Sequence, residues 1–398
     1  MRFLIALWAA KLAARVLRLL GRGGTHVPGR VALAICPDFL RRIDKPARVI
    51  AVTGSNGKTT VTNLIADALA PEGAISNRQG ANLDAGLAAL LASTATLTGG
   101  QRVDIGVFEV DERSSERVYS WLTPEIIVVT NLTKDSIRRN AHPEYMRWFM
   151  DQALPAGSTL VLNADDPVSL QLGSAGQRRV SYGLKATADY QVLRSEAGQV
   201  TLSEPAGERV YPLLNDNVAN VYNEAAAIAA LSEFGADNVA DRITGLTIDT
   251  TRYSEHHVGQ LSVIGQAAKG LNPMAVSGAF RYAASWPGRK AVIVAIDDIF
   301  DNSGENICWQ YDTDYEVLAD AGVTQLVFAG PRHLDHVARA LLAGVPGEKM
   351  SSAPSTAQAI ALLRTDGIER VYVLYDVVCY STTFVAEVVS ELRRKLGS

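Results

Sequence analysis

Cysteine is nearly absent from this chain: Cys36, Cys308 and Cys379 are the only three in 398 residues, far apart and without paired spacing. That pattern excludes a disulfide framework and a cysteine-built zinc site, and it points to a reducing compartment, the cytoplasm. A basic surplus is missing as well. The formal net charge of −4 offers no electrostatic footprint for nucleic acid, so no such partner is expected. Nor is there a membrane-spanning run: Phe3 to Ala10 gives eight apolar residues before Lys11, where a span needs about 20. No small-residue cleavage site follows it, so a secretory leader is not expected either. Internal repeats and low-complexity tracts are absent.

What is present has the balance of a soluble globular protein, 47% apolar and 20% charged. The length exceeds one core of ordinary size, so two or three domains are expected. The stretch around which they are organised is Val49 to Thr60, VIAVTGSNGKTT. An apolar strand ending in a glycine turn, followed by Gly57-Lys58-Thr59 and a helix, aims backbone N–H groups at nucleotide phosphates. It departs from the general P-loop spacing, because Val52 stands where the first glycine usually falls and Gly54 follows later. Gly57 would admit the phosphate, Lys58 would neutralise its oxygens, and the Thr59 hydroxyl would ligate Mg²⁺. The plain alternative is a glycine-rich surface turn that contains a lysine.

Upstream, Lys11, Arg15, Arg18 and Arg22 recur at helical spacing opposite Ala6, Ala13, Leu17 and Leu20. This fits a helix lying on an anionic membrane surface, the inner face of the cell membrane, and equally a helix packed on the protein with solvated cations. Val31 to Arg42 reads as a second short segment. Val103–Val110 and Ile126–Thr130 read as buried parallel strands between helices, making a three-layer α/β domain. Residues 185–212 read as a small β insertion. After Arg252 a second alternation begins, with strands at Lys290–Asp297, Thr324–Ala329 and Arg370–Tyr375 and helices at 314–322, 331–344, 355–364 and 382–396, a Rossmann-like C-terminal domain. The expected division is a lead-in over 1–46, a central ATP-binding domain over 47–252 and a C-terminal domain over 253–398.

Polar residues cluster where the strands end, the ligand-binding edge of a parallel sheet. Among Glu109, Asp111 and Glu112, Glu109 follows the apolar run directly and is the candidate to complete a Mg²⁺ shell beside Thr59; the alternative is a solvated acidic loop. Thr130-Asn131 and Asn163-Ala164-Asp165-Asp166-Pro167 end the next strands in the same manner.

Thr53 to Thr60, Thr130-Asn131, Asn163 to Pro167 and Asn220 to Ala226 resemble the successive signatures of the ATP-dependent Mur ligases, over nearly the whole chain. Ser76 to Leu83, Phe108 to Glu112, Leu271-Asn272-Pro273 and Trp309 to Glu316 resemble the subgroup that forms the ligase half of lipid II isoglutaminyl synthase. The resemblance implies that ATP phosphorylates a substrate carboxylate, the α-carboxyl of D-glutamate in the lipid II stem peptide, and that ammonia displaces the phosphate to give an amide. It implies a separate glutaminase of the GatD type as partner in a heterodimer, since Cys308 and Cys379 sit in no nucleophile context. For the nucleotide it implies Gly54, Asn56, Gly57, Lys58, Thr59, Thr60 and Asn131 around the phosphates, Asp165 near the nucleoside, Asn220 and Asn223 at the adenine, and Arg252 reaching the phosphates on closure. Asn223 could instead be an N-cap of an alanine-rich helix.

Three departures stand out. Residues 185–212 lack the cysteines of the zinc ribbon common in the subgroup, so no zinc is expected. After Asn131 the Mur pattern has an Asp-His pair with a metal-binding histidine, and here Asp135 is followed by Ser136; Asn306 stands where an aspartate precedes the tryptophan matched by Trp309. Asp312 is the candidate acid lent to the partner's Cys/His pair, from an exposed loop anchored at the interface by Trp309 and Tyr311. Asp301, Glu305 and Asp314 are its rivals, and helix capping by Asp312 and Asp314 is the plain reading. A stand-alone Mur-type or folylpolyglutamate-type ligase and a degenerate P-loop scaffold are the competing functions.

Overall fold

The computed structural model describes residues 1–397 except 21–25, 78–83, 136–141, 249–252, 269, 298–306, 321, 377–378 and 381–382. The chain forms two compact units, one of Met1–Thr133 with His142–Ile248 and one of Lys134–Ala141 with Asp249–Ser398.

The first unit opens with helices α1 (Arg2–Leu19), α2 (Val27–Ile35) and α3 (Phe39–Arg42), and later places α4 (Lys58–Ala68) and α5 (Asp84–Thr94). The single segment expected over Val31–Arg42 is two helices, because Pro37 pushes Cys36 into an extended conformation that ends α2. Its sheet runs in the order β2 (Ile75–Ser76), β3 (Ile105–Glu109), β1 (Arg48–Thr53), β4 (Ile126–Val129), β5 (Thr159–Asn163), β6 (Arg179–Gly183), β7 (Tyr190–Glu196), β8 (Gln199–Glu204) and β9 (Gly207–Pro212). Pairing is parallel from β2 to β7 and antiparallel across β7, β8 and β9.

Strand alternation sends β1 side chains to both faces. Ile50 and Val52 meet Val61 and Leu64 of α4 and the alanine-rich helix Val218–Glu233. Val49 and Ala51 meet Leu87 and Leu91 of α5 and, beyond them, Ala6, Leu7 and Ala10 of α1. Both faces of the strands are therefore covered, and apolar runs such as VIAV can be buried throughout. α1 is thus part of the protein body, and Lys11 is not a solvated cation of a free face. Its ammonium donates to the carbonyls of Ala92 and Ala95, each at 2.6 Å, satisfying the C-terminal end of α5. Burial, then Arg102 and Arg15, lower its pKa.

The second unit holds a sheet in the order β10 (Tyr253–Val258), β11 (Leu261–Ala268), β15 (Arg370–Asp376), β12 (Lys290–Ala295), β13 (Val323–Ala329) and β14 (Met350–Ala353). Among the described strands of this sheet, β10 and β11 alone pair antiparallel. Helices Pro273–Ser285 and His333–Leu342 cover one face, and Thr356–Ala361 and Thr383–Leu396 the other. The helix expected over 314–322 is a 3₁₀ turn, Tyr315–Ala319. Tyr315 and Leu318, one 3₁₀ turn apart, are the buried residues of this turn.

Candidate functional site

The glycine turn after β1 forms as its sequence requires. Gly54 and Gly57 have φ of +126° and +87°. A Cβ on Gly54 would lie 2.2 Å from Thr130 Oγ1, and one on Gly57 would lie 2.3 Å from Asn223 Oδ1, so neither position admits a side chain. Gly57 is the N-cap of α4, whose first-turn N–H groups lack partners within the helix.

Side chains from the β4 end hold this turn in shape. The Ser55 amide donates to the Asn131 carbonyl at 2.8 Å, and the Ser55 hydroxyl donates to the Thr133 carbonyl at 2.9 Å. Asn131 brackets Asn56, accepting from its amide at 3.1 Å and donating to its carbonyl at 3.0 Å. Asn131 therefore acts on the loop's conformation. Thr60 follows in the first turn of α4, half-buried.

Lys58 does not project into solvent. Its ammonium donates to the Gly54 carbonyl and lies 3.1 Å from a Glu112 carboxylate oxygen, in a pair whose side chains are only 13% and 8% exposed. Burial pushes the Glu112 carboxyl up, against the pull of Lys58. Glu112 was one of three acids near this strand end. Its position on a 3₁₀ turn, Glu112–Ser114, is what brings it to the lysine, and spacing alone did not single it out. Thr59 is exposed, and its hydroxyl donates to Glu109 at 2.8 Å. Glu109 is itself fixed by Asn77, which accepts from its amide at 2.8 Å and donates to its carbonyl at 2.9 Å.

Asn223 stands against Gly57 and donates to Asn220 at 3.3 Å; Asn220 in turn donates to Asn215 at 3.0 Å. Asn223 is not an N-cap: Asn217 caps this helix, accepting from the Ala219 amide at 3.0 Å, and Asn223 lies within it. Asp165 accepts from the amides of Leu184, Lys185 and Ala186 and from the Tyr222 hydroxyl at 2.8 Å. Burial works to raise its pKa, but these donors outweigh it and hold the carboxyl below its ordinary value. Next to Asn223, Glu224 is fully buried with one oxygen accepting from Leu214 and the other without a hydrogen bond. Burial lifts its pKa to about 7.

In the second unit, Asp312 closes the short helix Cys308–Tyr311 and pairs with Lys134 at 2.8 Å, both partly exposed. Neither Asp312 nor Asp314 caps the following turn through its side chain; Asp314 pairs with Arg281 at 3.1 Å. Tyr311 is exposed, but Trp309 is not available as a surface anchor. Its indole is buried edge-on against His336, with ring centroids 5.8 Å apart. Arg339 then ties down the backbone on both sides of Asp312, donating to Gln310 and Thr313 carbonyls. Arg252, Asp301, Glu305, Asn306 and Ser136 lie outside the described residues.

The first unit's loop fits a nucleotide phosphate: two positions shaped for glycine, an open helix N-terminus and a lysine ammonium, with Glu112 paired to that ammonium and Glu109 set beside Thr59. Thr59 Oγ1 and Glu109 Oε2, 2.8 Å apart, are the hard oxygen donors Mg²⁺ favours. Among the described residues no group of three His, Cys, Asp or Glu side chains is placed to hold a metal.

A Mur ligase middle domain model matches residues 52–231, and a MurT ligase C-terminal model matches residues 270–380. The fold agrees with that class: the chain superposes on MurF from Acinetobacter baumannii with a TM-score of 0.72 at 16% identity, covering 91% of this chain and 80% of that one. MurF from Thermotoga maritima, solved in complex with ADP, gives 0.68 at 14% identity, covering 92% and 85%. Both matched regions are of the Mur ligase class. Within that class the likeness is to the MurT type: the chain is 27% identical to subunit MurT of the glutamine-hydrolyzing lipid II isoglutaminyl synthase of Staphylococcus aureus (strain COL), over 83% of this chain and 86% of that protein. The corresponding Streptococcus pneumoniae subunit is 23% identical over 93% of each.

Proposed function

We propose that this protein is the ATP-dependent ligase subunit of a lipid II isoglutaminyl synthase. It amidates the α-carboxylate of D-glutamate in the lipid II stem peptide, using ammonia from a GatD-type glutaminase in a heterodimer. The observation that carries this reading is the joining, in one chain, of a Mur-type phosphate loop to a region matched by the MurT ligase C-terminal model.

Bound ATP with Mg²⁺ supplies the phosphoryl group that converts the carboxylate into an acyl phosphate. Lys58 and the α4 amides balance the charge of the phosphate oxygens, while Thr59 and Glu109 hold the metal and Glu109 shares in catalysis. Gly54, Asn56 and Gly57 leave room for the phosphates, Asn131 keeps the loop in that shape, and Thr60 extends it. Asn220 and Asn223 face the adenine and Asp165 the nucleoside. Asp312 orients the glutaminase histidine.

The test uses lipid II, ATP and purified protein with and without a co-expressed glutaminase. The ligase alone should amidate with ammonium, and glutamine should serve only when the glutaminase is present. Incorporation of an amino acid without any glutaminase would overturn this reading in favour of a stand-alone ligase.

A further inference from the structure

α1 carries apolar side chains on two opposite sides. Ala6, Leu7 and Ala10 are fully buried against the first unit. On the other side Ile5, Trp8, Leu12, Val16 and Leu19 follow one another at steps of three or four residues, the spacing of a single helical stripe. Even Val16, the least exposed of them, is 45% exposed, and Leu19 is 87% exposed. Single apolar side chains on a surface are ordinary, but a contiguous stripe of this length marks an interaction face. A second element prolongs it: the Trp8 indole N–H donates to the Leu97 carbonyl at 2.9 Å, and the Leu97 side chain is itself 61% exposed.

The surrounding charge says what covers the stripe. Residues 1–37 contain six Lys or Arg and no Asp or Glu, in a chain whose net charge is −4. On α1, Arg15 and Arg18 are exposed beside the stripe. Arg102 lies close enough to Lys11 to lower its pKa, so a further cation reaches this side. A second copy of the chain would bring its own arginines against these, which disfavours self-pairing. An anionic lipid surface satisfies both features, taking the apolar stripe into the acyl boundary and the cations at the headgroups. Trp8, with its N–H already bonded and its ring half-exposed, has the amphipathic character of an interfacial anchor. No described helix is long and apolar enough to cross a membrane, so α1 would lie in the plane.

We infer that the Ile5–Leu19 stripe of α1, with Leu97, is a docking face for anionic phospholipid bilayers. This face is remote in kind from the nucleotide loop and does not depend on the ligase reading. Its working surface differs from the one the cation spacing suggested, since Lys11 is committed to α5 and the insertion comes from the apolar side.

Flotation of the full-length protein tests it, with vesicles of phosphatidylcholine and phosphatidylglycerol in equal parts, against phosphatidylcholine alone. The wild type should float with the mixed vesicles, less with the neutral ones, and less as salt is raised. Leu12→Asp/Val16→Asp should abolish flotation. Arg15→Glu/Arg18→Glu should weaken it by roughly tenfold or more. All these side chains are exposed, so matched thermal unfolding curves should accompany the loss. A blue-shifted emission on vesicle addition, missing in Trp8→Phe, would place the ring at the boundary. Equal flotation of wild type and Leu12→Asp/Val16→Asp would overturn the inference. So would a wild type that ignores vesicles and sediments as a dimer which the same substitutions dissociate.

Discussion

The two units share an architecture, a mainly parallel sheet between helical layers, yet their carboxyl edges are furnished differently. In the first, β1 runs into a glycine turn, a helix N-terminus and the Lys58 ammonium. In the second, β12 and β15 lead into Asp297 and Asp376, both buried, with the Tyr380 hydroxyl donating to Asp297 at 3.3 Å. The first edge holds buried carboxylates too, Glu109 and Glu112, but sets beside them an open helix N-terminus and the Lys58 ammonium, which suit a phosphate. On the same architecture, the glycine turn and its ammonium belong, among the described residues, to the first edge, and the difference lies in a few residues at strand ends.

The contrast breaks most readily at Lys58. Lys58→Ala should lower ATP turnover by roughly a thousandfold or more, measured by phosphate release. It should also destabilise, because the paired Glu112 is left buried without its cation. A carboxyl raised above its ordinary pKa costs nothing while protonated and costs stability as pH rises through the raised value. The stability deficit of Lys58→Ala should therefore grow as pH rises above the ordinary carboxylate range, and adding Glu112→Gln should remove that growth without restoring turnover. A deficit independent of pH would show that the pair does not control the loop.

At the second unit, Asp312→Asn should reduce glutamine-dependent amidation by roughly a hundredfold while sparing ammonium-dependent amidation, if the acid serves a partner's histidine. Its ion pair with Lys134 is too exposed to matter much for stability. Equal losses with both nitrogen sources would end that assignment.

Glu224 sharpens the picture from inside the first unit. Its folded pKa of about 7 exceeds its unfolded one, so its stabilising contribution is complete in acid and lost as pH rises toward and through about 7. Glu224→Gln should flatten that fall, worth roughly 2 kcal/mol, in thermal unfolding between acid and neutral pH. An unchanged profile would move the titration elsewhere.

The smallest effect compares two glycines. Gly57→Ala should cost about 1–2 kcal/mol from its left-handed backbone and also weaken nucleotide binding by calorimetry, since the new Cβ meets Asn223. Gly73→Ala, at φ +77° with nothing near its Cβ, should carry only the backbone strain and leave binding unchanged.

The phosphate loop was legible in the sequence because its demands are local: glycines at fixed offsets, a lysine, a helix start. The central strands β1, β3, β4, β12, β13 and β15 were legible for the same reason, as short apolar runs between turn residues, whereas β2, β11 and β14 were not. What escaped was whatever depends on a distant partner. Glu112 reaches Lys58 only through the turn after β3, and Asn77 fixes Glu109 from just beyond the end of the neighbouring strand β2, a pairing that spacing cannot reveal. Trp309 looked like a surface anchor because an aromatic in a polar stretch reads that way, yet His336, on a later helix, encloses it. Lys11 looked like one of a row of free cations until the end of α5 claimed it.

The most direct test follows lipid II by mass spectrometry after incubation with ATP and isotope-labelled ammonium, using wild type and Lys58→Ala. The wild type should place the label in a stem-peptide amide only when ATP is present, and Lys58→Ala should place essentially none. Label incorporated without ATP, or equally by Lys58→Ala, would contradict an amidating ligase driven from this loop.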